Sequence, residues 1–264
     1  MWLRQKTAIV LGAGGKHNMG QSIARRYAAE GARVVVSGRN TDTLHELAEE
    51  IGGLAIACDI TRRGMIEQLA RQTIDRFGKI DIAVNCTGLN LGRPFLDTSD
   101  DDLARLYDIQ FRGPFQFMQV MVKAMQHGGS IIQISSAASA IMLDDYAAYR
   151  ATKAAIDQVV RSVADEFGER GIRANSISPG LVRTPMTSDV CSVPGVVEVF
   201  AKTSPLGRIA TPEEIGAAAL WLASDECFMT GENLQINGGL MLRRNPTKGE
   251  VAAAMARTPT TLAK

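Results

Sequence analysis

The chain has 264 residues, 45% hydrophobic and 22% charged, which is an ordinary globular balance with enough length to bury a core without staples. Lys+Arg number 29 against 28 Asp+Glu, and the net charge of +1 gives no electrostatic reason for a nucleic acid or an anionic membrane as partner. Four scattered cysteines, Cys58, Cys86, Cys191 and Cys227, form no CxxC pair and have no His cluster nearby, so no metal site is expected and free thiols in a reducing compartment are.

The opening "MWLRQKTAIVLG" moves directly into a strand, without the apolar core and cleavage site of a signal peptide. No apolar run approaches the ~18 residues that span a bilayer, so a cytoplasmic protein is expected. "TAIVL" (7–11) reads as a strand and "QSIARRYAAEG" as a helix, with Ile23, Ala24, Tyr27 and Ala28 on one face. "RVVVS" (33–37) precedes a helical pattern carrying Leu44, Leu47, Ala48 and Ile51. "LAIACD" precedes another carrying Ile66, Leu69, Ala70 and Phe77. "IDIAVN" (80–85), "SIIQIS" (130–135), "IRANSIS" (172–178) and "NLQIN" (233–237) complete about seven strands. The strands are continuous apolar runs, as in a parallel sheet covered on both faces. Their alternation with helices predicts one α/β doubly wound, Rossmann-like domain with a seven-stranded parallel sheet over 1–244 and a C-terminal tail over 245–264.

"VLGAGGKHNMGQSIA" (10–24) joins the first strand to the first helix. Free backbone N–H groups and the helix dipole at such a junction favour phosphate, and glycines let the chain bend close to a ligand. A purely structural turn satisfies the same pattern. The second strand ends in Ser37, Gly38, Arg39 and Asn40, without the carboxylate that would bond the ribose hydroxyl of NAD. Arg39 is suited to phosphate, reinforced by Lys16 or His17, which favours NADP(H) over NAD(H). The alternative is a solvated loop arginine.

"AAYRATKAAIDQVV" puts Tyr149 and Lys153 four residues apart, on one face of a helix. An ammonium beside a phenol lowers a value that starts near ~10, which equips the tyrosine to exchange a proton with a carbonyl or alcohol oxygen. Ser136 lies thirteen residues upstream of Tyr149, at a strand's C-terminal edge, where a hydroxyl holds the substrate oxygen. Tyr146 has Arg150 at its i+4 position and is set aside as a catalyst.

These motifs, in this order, resemble the short-chain dehydrogenase/reductase family over roughly 5–244. The resemblance implies that Ser136, Tyr149 and Lys153 are the catalytic residues, with Lys153 also bonding the nicotinamide ribose. It assigns Gly12, Gly14, Asn18, Met19 and Gly20 to a cofactor loop and Ser37 and Arg39 to the adenosine end. "CDI" (58–60) resembles the adenine-contacting segment, with Asp59 and Ile60 flanking the base. "NCTG" (85–88) resembles the Asn-Asn-Ala-Gly segment, with Asn85 bracing the sheet, Gly88 letting the cofactor pass, and Cys86 and Thr87 as departures. "SPGLVRTPM" (178–186) resembles the segment holding the carboxamide through Pro179, Gly180, Val182 and Thr184.

Two departures stand out. The glycine loop is two residues longer than the family's usual loop, with Asn18 where a middle glycine stands, a position for which Asn tolerates positive φ. Gln110, in "YDIQFRGPF", takes the place of an asparagine that supports a proton relay to the lysine. It either keeps that relay through a longer amide or simply packs beside the cofactor.

The expected activity is hydride transfer between nicotinamide and a ketone or secondary alcohol. A small hydrophobic carbonyl or alcohol substrate follows if Met186, Val190, Val193 and Phe200 wall the pocket; the same residues suit core or subunit contacts. The resemblance implies a homotetramer or homodimer. The alternatives are a dinucleotide-binding regulator or scaffold without turnover, and an enoyl reductase. Enoyl reductases of the family share a lengthened loop but space the tyrosine and lysine more widely.

Overall fold

The structure is a computed structural model that describes residues 1–256. Part of the proposed tail, 257–264, lies outside the described residues. The strands are β1 (Thr7–Leu11), β2 (Arg33–Gly38), β3 (Leu54–Ala57), β4 (Ile82–Asn85), β5 (Gly129–Ile134), β6 (Ile172–Pro179) and β7 (Asn233–Ile236). They form one seven-stranded sheet in the order β3-β2-β1-β4-β5-β6-β7, with every pairing parallel. The doubly wound architecture read from the sequence is therefore the observed one.

The continuous apolar runs explain the two-sided core. Successive strand residues point to opposite faces. Ala8 and Val10 enter one core with Ile23, Tyr27, Val36, Leu44, Ile215 and Leu222. Ile9 and Leu11 enter the other with Ile66, Leu69, Phe117, Met121, Ile156 and Val160. The first layer belongs to α1 (Met19–Ala29), α2 (Thr41–Ile51) and α9 (Pro212–Ala223). The second belongs to α3 (Arg63–Phe77), α5 (Gly113–Ala124) and α6 (Ala147–Phe167). Between these come α4 (Asp100–Tyr107), α7 (Ser188–Ser192) and α8 (Val196–Thr203).

The order in which strands are added to the sheet reverses between β1 and β4, which are parallel neighbours. Such a switch point leaves a crevice outside the carboxyl ends of the strands. β1, β4, β5 and β6 deliver the glycine loop, the Asn85–Gly88 segment, Ser136 and the Pro179–Thr184 segment to that one end.

Beyond the sheet, α10 (Lys248–Ala256) lies on its own chain. Asn245 Nδ2 donates to Met142 O at 2.7 Å, Lys248 N donates to Asp144 Oδ2 at 2.9 Å, and Lys248 Nζ pairs with Asp145 Oδ2 at 2.6 Å.

Candidate active site

The glycine loop is a built cradle. Gly12 has φ +99°, and a Cβ there would lie 2.7 Å from the Cys86 carbonyl carbon. A Cβ on Gly20 would lie 2.8 Å from Gly12 O, so the start of α1 sits directly on the loop. Asn18 clasps the two ends: its Nδ2 donates to Gly12 O at 2.8 Å and its Oδ1 accepts from Gln21 N at 2.9 Å. This corrects one expectation. Asn18 caps α1 in extended backbone at φ −83°, and His17 is the non-glycine loop residue with positive φ, at +60°. The two extra residues let the turn close through a side-chain cap, so the middle position needs no left-handed backbone.

The adenosine end also differs in detail. Ser37 is fully buried, and its Oγ donates to Ile56 O at 2.7 Å. Its hydroxyl is thus taken by the neighbouring strand; its carbonyl accepts the N–H groups of Gly12 and Ala13 at 2.8 and 3.0 Å and supports the loop instead. Arg39 is exposed beside Asp59. Burial works against the Asp59 charge, but Thr61 N and Oγ1, at 2.9 and 2.8 Å, with Arg39 and Arg62, hold its carboxyl below the ordinary value. Lys16 pairs with Glu46 at 2.7 Å on the exposed face of α2.

At the end of β4, Asn85 Nδ2 donates to Gln133 Oε1 of β5 at 2.9 Å, while its Oδ1 accepts from Thr87 N and Oγ1 at 3.0 and 2.8 Å. A Cβ on Gly88 would meet Gln110 Oε1 at 3.5 Å, Met186 Cε at 3.7 Å and Lys153 Nζ at 3.8 Å, so this glycine is where three parts of the site converge. Gln110 lies in a π-helical turn, Asp108–Arg112, a distortion frequent at functional sites. Its Nε2 donates to Thr152 Oγ1 at 2.9 Å and its Oε1 accepts from Leu89 N at 3.3 Å. The amide therefore links the loop after β4 to α6 one residue before Lys153.

Tyr149 and Lys153 share a face of α6, with Lys153 Nζ 5.9 Å from the Tyr149 ring centroid. Lys153 Nζ donates to Ile134 O at 3.0 Å. Ser136 hydrogen-bonds Tyr149, and its Oγ also accepts from Ala138 N at 3.2 Å. Burial pushes the Tyr149 phenol above 10.0, the Ser136 bond draws it back, and Tyr146, edge-on at 5.6 Å, adds to the rise. Burial also pushes Lys153 down to about 8, opposed by Asp157 and Cys86. The expected lowering of the tyrosine by Lys153 is not found: Ser136 is the group that lowers it, and desolvation, which disfavours both charged forms, outweighs that bond.

A family model described as enoyl-(acyl carrier protein) reductase matches residues 12–241. 3beta-Hydroxysteroid dehydrogenase 1 of Eggerthella lenta is 32% identical over 254 residues, covering 91% of this chain and 95% of that protein. The chain belongs to the short-chain dehydrogenase/reductase family. D-Threitol dehydrogenase of Mycolicibacterium smegmatis is 35% identical over 246 residues, covering 90% and 94%. The solved structure of a short-chain type dehydrogenase/reductase from Mycobacterium ulcerans superposes with a TM-score of 0.90 at 28% identity, covering 98% of this chain and 100% of that one.

As a short-chain dehydrogenase/reductase the protein is an oxidoreductase that uses a nicotinamide dinucleotide. Its residues fit that group. Gly12, Gly14, Asn18, Arg39, Asp59, Ile60, Thr87 and Gly88 line one groove of about 550 Å³, within the usual ligand-pocket range, and the loop closes around it only because Gly12 and Gly20 have no Cβ to strike the chain's own backbone. A groove of about 520 Å³ between α3 and α5 has no such cradle. Met19 opens α1 with its side chain against the core.

At the end of β6, Pro179 and then Gly180 lead into Val182, whose carbonyl accepts from Thr187 Oγ1 at 2.6 Å. Thr184 is held in a reciprocal cap with Thr187. Met186 reaches the dinucleotide groove, whereas Phe200 turns to a crevice with Gly180, Leu181 and Leu240. The sequence reading missed Thr43, whose Oγ1 donates to Gly14 O at 2.7 Å, and also Gln133, Thr152 and Thr187. Gln133 was visible as a lone amide inside the apolar run "SIIQIS". Thr43 follows the Asn40 cap of α2.

Proposed function

We propose that the protein interconverts a ketone and a secondary alcohol with NADP(H), using Tyr149 as acid and base. The observation that carries this reading is the meeting of Ser136, Tyr149 and Lys153 beside Gly88, at one end of the glycine-lined groove. Bound nicotinamide supplies or accepts the hydride. Ser136 Oγ orients the substrate oxygen. In reduction, Tyr149 Oη gives its proton to that oxygen as the carbonyl carbon gains hydride; in oxidation it takes the proton back. The raised phenol keeps this proton at neutral pH, ready for reduction. Lys153 holds the ribose hydroxyls as an ammonium, a form lost as pH rises through about 8.

Arg39 and the absence of a carboxylate on the end of β2 support NADP(H) over NAD(H). Asp59, Ile60, Asn85, Thr87, Pro179, Gly180, Val182 and Thr184 complete the cofactor contacts in this reading. Met186, 46% exposed at the groove, favours a hydrophobic substrate. The same reading takes the protein to act in the cytoplasm as a homotetramer or homodimer. Among the described residues no helix is long and apolar enough to cross a membrane. Tyr107, Phe111 and Phe115 form an aromatic row, spaced 5.4 and 6.2 Å apart. Phe95 and Leu96, elsewhere on the surface, are 77% and 92% exposed.

The enoyl reductase reading has the description of the matching family model in its favour. The four-residue Tyr149–Lys153 spacing favours carbonyl chemistry. Fluorescence titration with NADPH and NADH, followed by assays of a ketone panel and an enoyl thioester, tests the proposal. Tighter NADPH binding with ketone turnover supports it; NADH preference refutes the cofactor choice, and enoyl turnover alone refutes the reaction.

A further inference from the structure

The Tyr149–Lys153 face of α6 carries one more polar side chain. Asp157 stands one helical turn beyond Lys153, in the i+4 position that puts both on one face. Its Oδ2 accepts from Ser135 Oγ at 2.8 Å and from Asn233 Nδ2 at 2.8 Å. Ser135 immediately precedes Ser136 and is itself fixed to β6 by its N–H, which donates to Ile177 O at 2.8 Å. One carboxylate thus joins α6 and β7 to the strand end that presents the catalytic hydroxyl. Its second oxygen, Oδ1, is buried and makes no close hydrogen bond, although the Ser139 and Ser176 hydroxyls also act on the carboxylate. A brace alone requires only a neutral acceptor. A buried carboxylate held only by neutral groups is costly unless a cation answers it, and the cation one turn away is Lys153.

We propose that Asp157 is a positioning residue that braces the strand end carrying Ser136 and supplies the counter-charge for the Lys153 ammonium. The functional half of this inference rests on the reading of Lys153 as the residue that holds the cofactor ribose. The groups around the pair leave few rivals. Lys153 faces Tyr149 and Asp157 on α6 and Cys86 beyond β4. Asp157 is faced by Ser135, Ser139, Ser176 and Asn233, none of them ionisable in the working range, and by Lys153. Burial pushes the Cys86 thiol up to about 12 and the Tyr149 phenol above 10.0, so both stay neutral near neutral pH. Burial pushes the Asp157 carboxyl up, against its serine hydrogen bonds and Lys153. Asp157 is in turn the main group that holds Lys153 up against its own burial.

The test compares wild type, Asp157→Asn, Lys153→Met and the double variant by thermal melting. It then follows NADPH binding by fluorescence as pH rises from neutral to alkaline. Asp157→Asn is expected to lower the melting temperature in the wild-type background and to leave it unchanged or raise it in Lys153→Met, because the ammonium it served is gone. If Asp157→Asn does not fold alone, the double variant should fold. The pH at which Asp157→Asn loses NADPH should fall about one pH unit below that of wild type. Ser135→Ala, which loosens the brace and keeps the charge, should not move that pH. Equal losses of melting temperature in both backgrounds, an unfolded double variant, or an unmoved binding profile in Asp157→Asn would each overturn the proposal. Undiminished NADPH binding by Lys153→Met would instead refute the ribose-holding role, and the melting comparison would still decide whether the two charges are coupled.

Discussion

Lys153→Met should make the nucleotide-free protein more stable. Lys153 is 4% exposed, and burial takes it from 10.5 to about 8. At ~1.4 kcal/mol for each pH unit, that fall corresponds to about 3 kcal/mol of unfavourable free energy for the folded ammonium. The folded value lies below the unfolded one. Below about pH 8 both states hold the proton and the whole penalty applies; between about 8 and 10.5 the folded state releases it first, so stability rises with pH. Methionine keeps the aliphatic stem and loses the bond to Ile134 O, worth ~1 kcal/mol. That carbonyl still accepts from Gln133 Nε2 at 2.8 Å, so nothing is left unpaired there. The value of about 8 already contains the attraction of Asp157, so the net gain near neutral pH is about 2 kcal/mol, or a rise of ~4–8 °C in Tm for a chain of this size. Thermal melts without nucleotide, near neutral pH and about two pH units above Lys153's value, measure it. The variant should melt higher at the lower pH, with the gap nearly closed at the higher one. A variant that melts at or below wild type near neutral pH, or a gap that does not narrow, would refute the reasoning.

Other substitutions test the cradle. Gly12→Ala combines a φ of +99° with a Cβ 2.7 Å from backbone, so it should lose dinucleotide binding and melt several degrees lower; calorimetric titration with NADPH checks the first and a thermal melt the second. Asn18→Ala removes the α1 cap and the clasp on Gly12, and should cost ~1 kcal/mol of stability by denaturant titration while weakening both dinucleotides alike. Arg39→Ala should weaken NADPH by about 10-fold or more, the loss of one charge-assisted contact, and leave NADH unchanged; equal effects on both would remove Arg39 from the specificity argument.

The sheet was legible because each strand is an apolar run whose alternate residues feed two cores, as Ala8 and Val10 do against Ile9 and Leu11. The α6 pair was legible because i and i+4 share a face wherever a helix forms. Loop conformation was not. Whether Asn18 or His17 carries the positive φ depends on Asn18 reaching Gly12 O, a contact across the turn that spacing does not encode. Ser37 stood at the right strand end, but its hydroxyl direction depends on the register of β2 against β3. Phe200 belonged to an apolar stretch, and only the packing of α8 shows that it faces Leu240 and not the groove with Met186. The tyrosine's value was misjudged because a lysine at i+4 is visible in sequence, whereas the burial that raises the phenol and the Ser136 bond that lowers it are not.

Turnover by Tyr149→Phe is the decisive measurement, with NADPH binding measured on the same preparation. The substitution removes the phenolic oxygen and leaves the ring against Lys153 and Tyr146. The expected result is NADPH binding close to wild type with ketone reduction lowered by ~100-fold or more, the usual worth of a positioned acid. Retained reduction by a variant that binds NADPH normally would contradict proton transfer by Tyr149.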